Sequence, residues 1–159
     1  MHYTYINEGA KMKRPVKTGL PTPSAPIEWA TIADGVFSTA QIPIKADGKI
    51  ETGDIGAQTS LTLDNLKRSL NAAGGTLADV AQVLIYLPDP ADFPGMNAVY
   101  AEYFTAPYPN RATIVAQLMV PGAKIEIVAY AHIRKPAKAR TAARKTPAKK
   151  APKRKTGRR

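Results

Sequence analysis

The sequence predicts a two-layer α+β domain, with two helices on one face of a mixed sheet, and three observations predict it. Apolar residues switch between alternating and helical spacing in the order strands, helix, strand, helix, strand, strand. One eight-residue segment is apolar almost throughout, as a strand covered on both faces would be. The last segment alternates cleanly, so one face of its sheet packs against something while the other is open. The chain has 159 residues, enough for one domain with a real core.

Residues 1–26 are polar and dotted with Pro15, Pro21, Pro23 and Pro26. Residues 1–24 therefore read as a flexible arm, with the domain running from 25 to 133. Val36-Phe37-Ser38-Thr39-Ala40 is a short strand closed by Gln41-Ile42-Pro43, and Asp47-Gly48-Lys49 is a turn. Thr52-Gly53-Asp54 opens a helix on which Thr59, Leu63, Leu66, Leu70 and Ala73 form one stripe. Gly74-Gly75 stops it, because glycine takes the left-handed C-terminal position without strain. Residues 80–87 are the apolar strand, ended by Pro88-Asp89-Pro90. A second helix spans about residues 93–104, with Phe93, Met96, Tyr100 and Tyr103 along one side. Residues 111–118 and 124–133 are two more strands, connected through a Pro121-Gly122 turn.

In the last strand Ile125, Ile127, Ala129, Ala131 and Ile133 point one way, toward the helices. Lys124, Glu126, Val128, Tyr130 and His132 point the other way, and that face is not fully polar. Burial in an oligomer explains such a face, and a solvated face with scattered apolar residues is the alternative.

Composition restricts the chemistry. There is no cysteine, hence no disulfide, thiolate nucleophile or cysteine-bound metal. The only histidines are His2 and His132, which leaves a histidine metal centre or a serine triad short of parts. No segment has the length of a membrane span and the N-terminus lacks a signal-peptide core, so a cytoplasmic location is expected. The net charge of +11 is unevenly spread. Residues 134–159 hold 13 Lys/Arg and no acid, whereas residues 1–133 hold 10 basic and 12 acidic residues, a net of −2. Electrostatic attraction to polyanions thus belongs to this tail alone, with Lys149, Lys150, Lys153, Arg154 and Lys155 in its densest stretch.

Within the body, Arg111 and Glu126 are charges set among apolar strand neighbours, a placement that calls for a partner or a task. An arginine fork suits a carboxylate, and a glutamate can hold and activate a water. Thr113 shares a face with Arg111 and adds a hydroxyl. The alternative is a structural Arg–Glu ion pair. Asn97, early in the second helix, is by itself no more than an exposed or capping amide.

These residues lie in stretches that resemble the RidA/YjgF family. The matching pieces are Ser38-Thr39-Ala40-Gln41-Ile42-Pro43, Gln58 with Asn65-Leu66 and Ala72-Ala73-Gly74, Met96-Asn97-Ala98-Val99-Tyr100, Pro109-Asn110-Arg111-Ala112-Thr113, and Lys124-Ile125-Glu126-Ile127. They recur in one order over roughly 110 residues. The resemblance implies a chorismate-mutase-like fold, a homotrimer with active sites between subunits, and no metal or organic cofactor. It also implies hydrolysis of 2-imino and enamine acids, such as 2-iminobutanoate and 2-iminopropanoate, to 2-keto acids and ammonia. Carried over position by position, Arg111 clamps the substrate carboxylate and Glu126 orients the attacking water. Thr39, Ala40, Asn97 and Thr113 then complete the substrate site. Two departures stand out: Thr113 occupies a position that is often cysteine, and Ile27 aligns with a tyrosine.

Two further readings compete. One is a nucleic-acid-associated protein that binds DNA or RNA non-specifically through the basic tail, which is similar to linker-histone tails and would place the chain at the nucleoid. The other is a RidA-like scaffold that binds or regulates without deaminase activity.

Overall fold

The computed structural model describes residues 13–133. The basic tail with its five named cations, and the first half of the expected arm, lie outside the described residues.

Six strands form one sheet: β1 (Arg14–Pro15), β2 (Ala30–Ala33), β3 (Val36–Gln41), β4 (Val80–Leu87), β5 (Asn110–Val115) and β6 (Glu126–His132). Their order across the sheet is β1-β2-β3-β6-β4-β5. β4 and β5 pair in parallel and every other neighbouring pair is antiparallel. Helix α1 (Ile55–Ala73) crosses from β3 to β4, and helix α2 (Phe93–Tyr103) crosses from β4 to β5. A parallel pair needs such a crossover. The expected two-layer mixed sheet is therefore present. The last two strands, though consecutive, are not neighbours, because β6 inserts between β3 and β4.

α1 begins where the Asp54 carboxylate accepts from the Ala57 N–H at 2.9 Å, and it ends on Gly74 at φ 86°. A Cβ on Gly75 would run into the terminal methyl of Ile133, so a larger residue there would require that side chain to shift. Leu63, Leu66 and Leu70 are fully buried, with Thr59 completing the stripe. They pack with Phe37, Val83, Ile85, Met96 and Ile127 in one core cluster. Truncating one of these leucines to alanine costs about 2–5 kcal/mol in comparable cores.

Two expectations are corrected here. β4 is not covered on both faces: Val83, Ile85 and Leu87 are buried, but Ala81 and Gln82 are exposed and Leu84 and Tyr86 half-buried. Its near-continuous apolar run reflects a second face that is apolar without being covered in one chain. The flexible arm also ends earlier than expected. Arg14 and Pro15 pair with Ile32 and Thr31, and Val16 joins the core. The Trp29 indole N–H donates to the Pro21 carbonyl at 2.6 Å, tying the proline-rich segment down. Backbone pairing and a buried valine outweigh local composition. Among the described residues no helix is long and apolar enough to cross a membrane.

Candidate active site

Residues paired across a sheet share a face, so the registers decide which expected site residues can meet. Arg111, Thr113 and Val115 pair with Val83, Ile85 and Leu87, on the face that the helices cover. Glu126 pairs with Tyr86, one position out of phase with buried Ile85 and Ile127, and so lies on the open face. Arg111 and Glu126 are thus on opposite faces of the sheet. Within one chain the structure forms no ion pair between them, so a structural Arg–Glu pair inside the chain is set aside.

Arg111 sits on edge strand β5, its guanidinium carbon 4.6 Å from the Tyr100 ring centre and 5.9 Å from that of Phe93. Both rings come from α2. Asn97 lies one turn after Phe93 and three residues before Tyr100, which places it on the same stripe of α2. It is exposed. Tyr100 is buried, its hydroxyl has no hydrogen-bond partner, and burial pushes its pKa up to about 12 against an opposing pull from Arg111. It therefore presents a neutral ring to the guanidinium at any working pH, a geometry worth about 0.5–2 kcal/mol. Arg111 has no carboxylate neighbour among the described residues, so its fork remains free for a ligand.

A pocket of about 310 Å³ is lined by Leu87, Pro90, Phe93, Thr113, Ile114 and Val115, of which Phe93 and Thr113 neighbour Arg111. Thr113 Oγ1 is buried in the single chain without a partner. A buried, unsatisfied hydroxyl is costly unless something completes it.

The open face carries the other group. Ala40 pairs with Val128, two residues along β6 from Glu126, so Ala40 and Glu126 share this face. Glu126 is half-buried, and burial raises its pKa above the usual carboxylate value of 4.5. A carboxylate held this way is the stronger base. The surroundings are Tyr86, Leu84 and Val128, all half-buried, with Tyr130 and Ile114 exposed.

Thr39 takes a different place. Its hydroxyl donates to the Trp29 carbonyl at 2.5 Å and accepts from Gln41 Nε2 at 2.6 Å, and Gln41 also reaches Ser69 at 3.1 Å. Thr39 points toward α1, so its side chain belongs to a buried network and not to a pocket. Ile27 is exposed, in a turn where its N–H donates to the Ala25 carbonyl at 2.8 Å.

The expected residues thus fall into two half-sites, Arg111, Thr113 and Asn97 on one face and Glu126 with Ala40 on the other. Phe93 and Tyr100, which carry the arginine, were read from the sequence only as an apolar helix side. The signal that could have found them is their i, i+7 spacing on the helix directly before the Arg111 strand.

Comparison with known proteins gives a consistent result. The family described as Endoribonuclease L-PSP matches residues 21–133. A 3-aminoacrylate deaminase, RutC of Acinetobacter baylyi, is 41% identical over 117 residues, covering 72% of this chain and 93% of the relative. The YjgF gene product of E. coli superposes with a TM-score of 0.70 at 28% identity, over 76% of this chain and 99% of that one. E. coli TdcF with bound serine has a TM-score of 0.70 at 27% identity, covering 77% and 99% of the two chains.

Proposed function

Because this chain belongs to the Endoribonuclease L-PSP (RidA/YjgF) family, we propose that it hydrolyses 2-imino and enamine acids to 2-keto acids and ammonia, at sites shared between copies of the chain. The observation that carries this reading is the unpaired Arg111 fork, held over two rings next to the orphaned Thr113 hydroxyl. That arrangement fits a small carboxylate bearing a polar group on its second carbon. The name of the 3-aminoacrylate deaminase relative supports the same chemistry. A pocket of about 310 Å³ suits a metabolite better than a polynucleotide.

In this mechanism Arg111 holds the substrate carboxylate by two charge-assisted hydrogen bonds. Glu126 takes a proton from a water as its oxygen adds to C2 of the imine. Glu126 passes that proton to the nitrogen, and the tetrahedral adduct then collapses to the ketone as its hydroxyl proton moves to the leaving nitrogen, which departs as ammonia. No covalent enzyme intermediate is needed, since the imine carbon is already electrophilic and positioning supplies most of the rate. Arg111 and Glu126 lie on opposite faces of one sheet. The water-activating Glu126 must therefore come from a neighbouring copy whose open face meets the Arg111 edge. A homotrimer built on the half-apolar open face satisfies this.

The test is to generate imines in situ with an amino-acid oxidase and follow keto-acid release. Arg111→Ala should lower kcat/KM by at least about a hundredfold, and Arg111→Lys should recover little, because a point charge cannot copy the fork. Near wild-type turnover by Arg111→Ala would remove the carboxylate clamp.

A second activity rests on charge alone. The 13 cations of residues 134–159 have no acid among them. On this reading the tail binds nucleic-acid phosphates without sequence preference, and a trimer presents three tails. Protein shortened to residue 133 should keep deaminase activity and lose binding to two unrelated DNA duplexes at low salt. Equal duplex binding by both forms would reject the tail as the contact.

A further inference from the structure

Arg111 has a long side chain on edge strand β5, and something must hold it in one place. Among the described residues its guanidinium has no ion pair and no hydrogen bond. A free arginine loses much rotamer freedom when it is ordered, so an unheld fork would bind a carboxylate poorly. The contacts available to order it are the rings of Phe93 and Tyr100.

The two rings are not equivalent. The guanidinium carbon is 4.6 Å from the centre of Tyr100 but 5.9 Å from that of Phe93, near the limit at which a ring face still attracts a cation. Phe93 is 41% exposed, whereas Tyr100 is 6% exposed. Tyr100 is also held by a third ring. Phe104 stacks against it with ring centres 4.5 Å apart and 26° between planes. Phe104 is itself buried, and its N–H donates to the Tyr100 carbonyl at 3.2 Å where α2 ends. Both residues belong to the core cluster, so the Tyr100 ring is fixed by the fold. The Tyr100 hydroxyl adds nothing to this within the chain, because it is buried without a partner. What Tyr100 offers Arg111 is the electron-rich face of its ring.

We propose that Tyr100 is a positioning residue: its ring, fixed by the core and by Phe104, holds the Arg111 guanidinium ready to take a carboxylate. The inference rests on the carboxylate clamp of the deaminase reading. Phe93 is a lesser, yielding contact. Weakening the pull of the Tyr100 ring leaves the charge of Arg111 intact but removes its preorganisation, and carboxylate binding falls.

The experiment alters the ring's electrons and keeps its shape. Tyr100→Phe is compared with full-length protein carrying a ring-trifluorinated phenylalanine at the same position, since fluorine withdraws charge from the ring face. The readout is Kd for 2-oxobutanoate, a keto acid of the product class, by NMR titration. The trifluorinated form should bind it at least about threefold more weakly than Tyr100→Phe. The same pair of exchanges at Phe93, phenylalanine against its trifluorinated form, should shift Kd by a smaller factor. A residue that only fills space would give equal Kd values for the two rings, and that result overturns the inference while leaving Arg111 as the clamp. A factor at Phe93 equal to or larger than that at Tyr100 overturns the assignment to Tyr100. Failure of the unaltered protein to bind 2-oxobutanoate overturns the inference as well. Binding is read without turnover, so each of these results stands apart from the deaminase reading, which the imine assay decides.

Discussion

At the scale of residues, the charged groups of the candidate site are set up by opposite physical devices. Arg111 is stabilised without a counter-charge: two aromatic faces support the guanidinium and leave its donors unspent. Glu126 is tuned by partial removal from water, which penalises the ionised form and raises its pKa above 4.5. The direction of that shift has a consequence for activity. A general base must be ionised to accept a proton, so kcat/KM should rise with pH along an acid limb whose midpoint lies above 4.5. Glu126→Gln should lower kcat by about a hundredfold or more, leave KM little changed, and abolish the acid limb. A wild-type acid limb retained in Glu126→Gln would show that another group titrates, and unchanged turnover would leave Glu126 outside the chemistry.

At the scale of elements, what the sequence reveals depends on whether its signal is local. The α1 stripe, its Asp54 start and its Gly74 stop were all readable, because each depends on residues a turn or less apart. The alternation of β6 was readable for the same reason, and it placed Glu126 on the open face correctly. β1 and β2 were missed. Arg14–Pro15 has no strand pattern of its own and is held only by pairing with β2. β2 is four residues long and follows a proline-rich stretch. Strand order was not readable either. Taking the Pro121-Gly122 turn as a simple link gave no hint that β6 returns to the middle of the sheet. The structure shows what makes it return. Gln58 on α1 donates to the Gly122 carbonyl at 3.0 Å and accepts from the Lys124 N–H at 2.7 Å, steering the chain into β6. Asn65 likewise holds the chain after β3 through the carbonyls of Ile42 and Ile44. These motif residues are therefore architectural: their side-chain hydrogen bonds hold the backbone that leads into β6 and out of β3, the strands of Glu126 and Ala40. Thr39 belongs with them. Its neighbour in sequence faces the open side, but strand alternation sends its own hydroxyl into the core, a distinction that a motif match does not make.

At the scale of the whole molecule, the proposed mechanism needs Arg111 and Glu126 to meet, whereas one chain holds them on opposite faces of its sheet. A β-sheet is opaque: a group on one face cannot act on a ligand bound to the other, and the register that separates Arg111 from Glu126 is fixed by the core on which Ile85 and Ile127 pack. On the proposed reading the open face would complete the site, and in the single chain Leu84, Tyr86 and Val128 are half-buried and Tyr130 and Ile114 exposed. Burying such a face against another copy is favourable in proportion to the apolar area removed from water. If each active site takes Arg111 from one copy and Glu126 from the next around a closed ring, the two inactive variants must complement one another. Arg111→Ala and Glu126→Gln, each inactive alone, would be unfolded together and refolded as mixed assemblies. At equal proportions about a quarter of the shared sites then hold both wild-type residues, and that fraction of wild-type turnover should return. Were both residues drawn from the same copy, mixing would restore nothing. Light scattering of protein shortened to residue 133 provides the companion measurement, with three times the chain mass expected; a monomer mass combined with full activity would place the chemistry within one chain and refute the shared site.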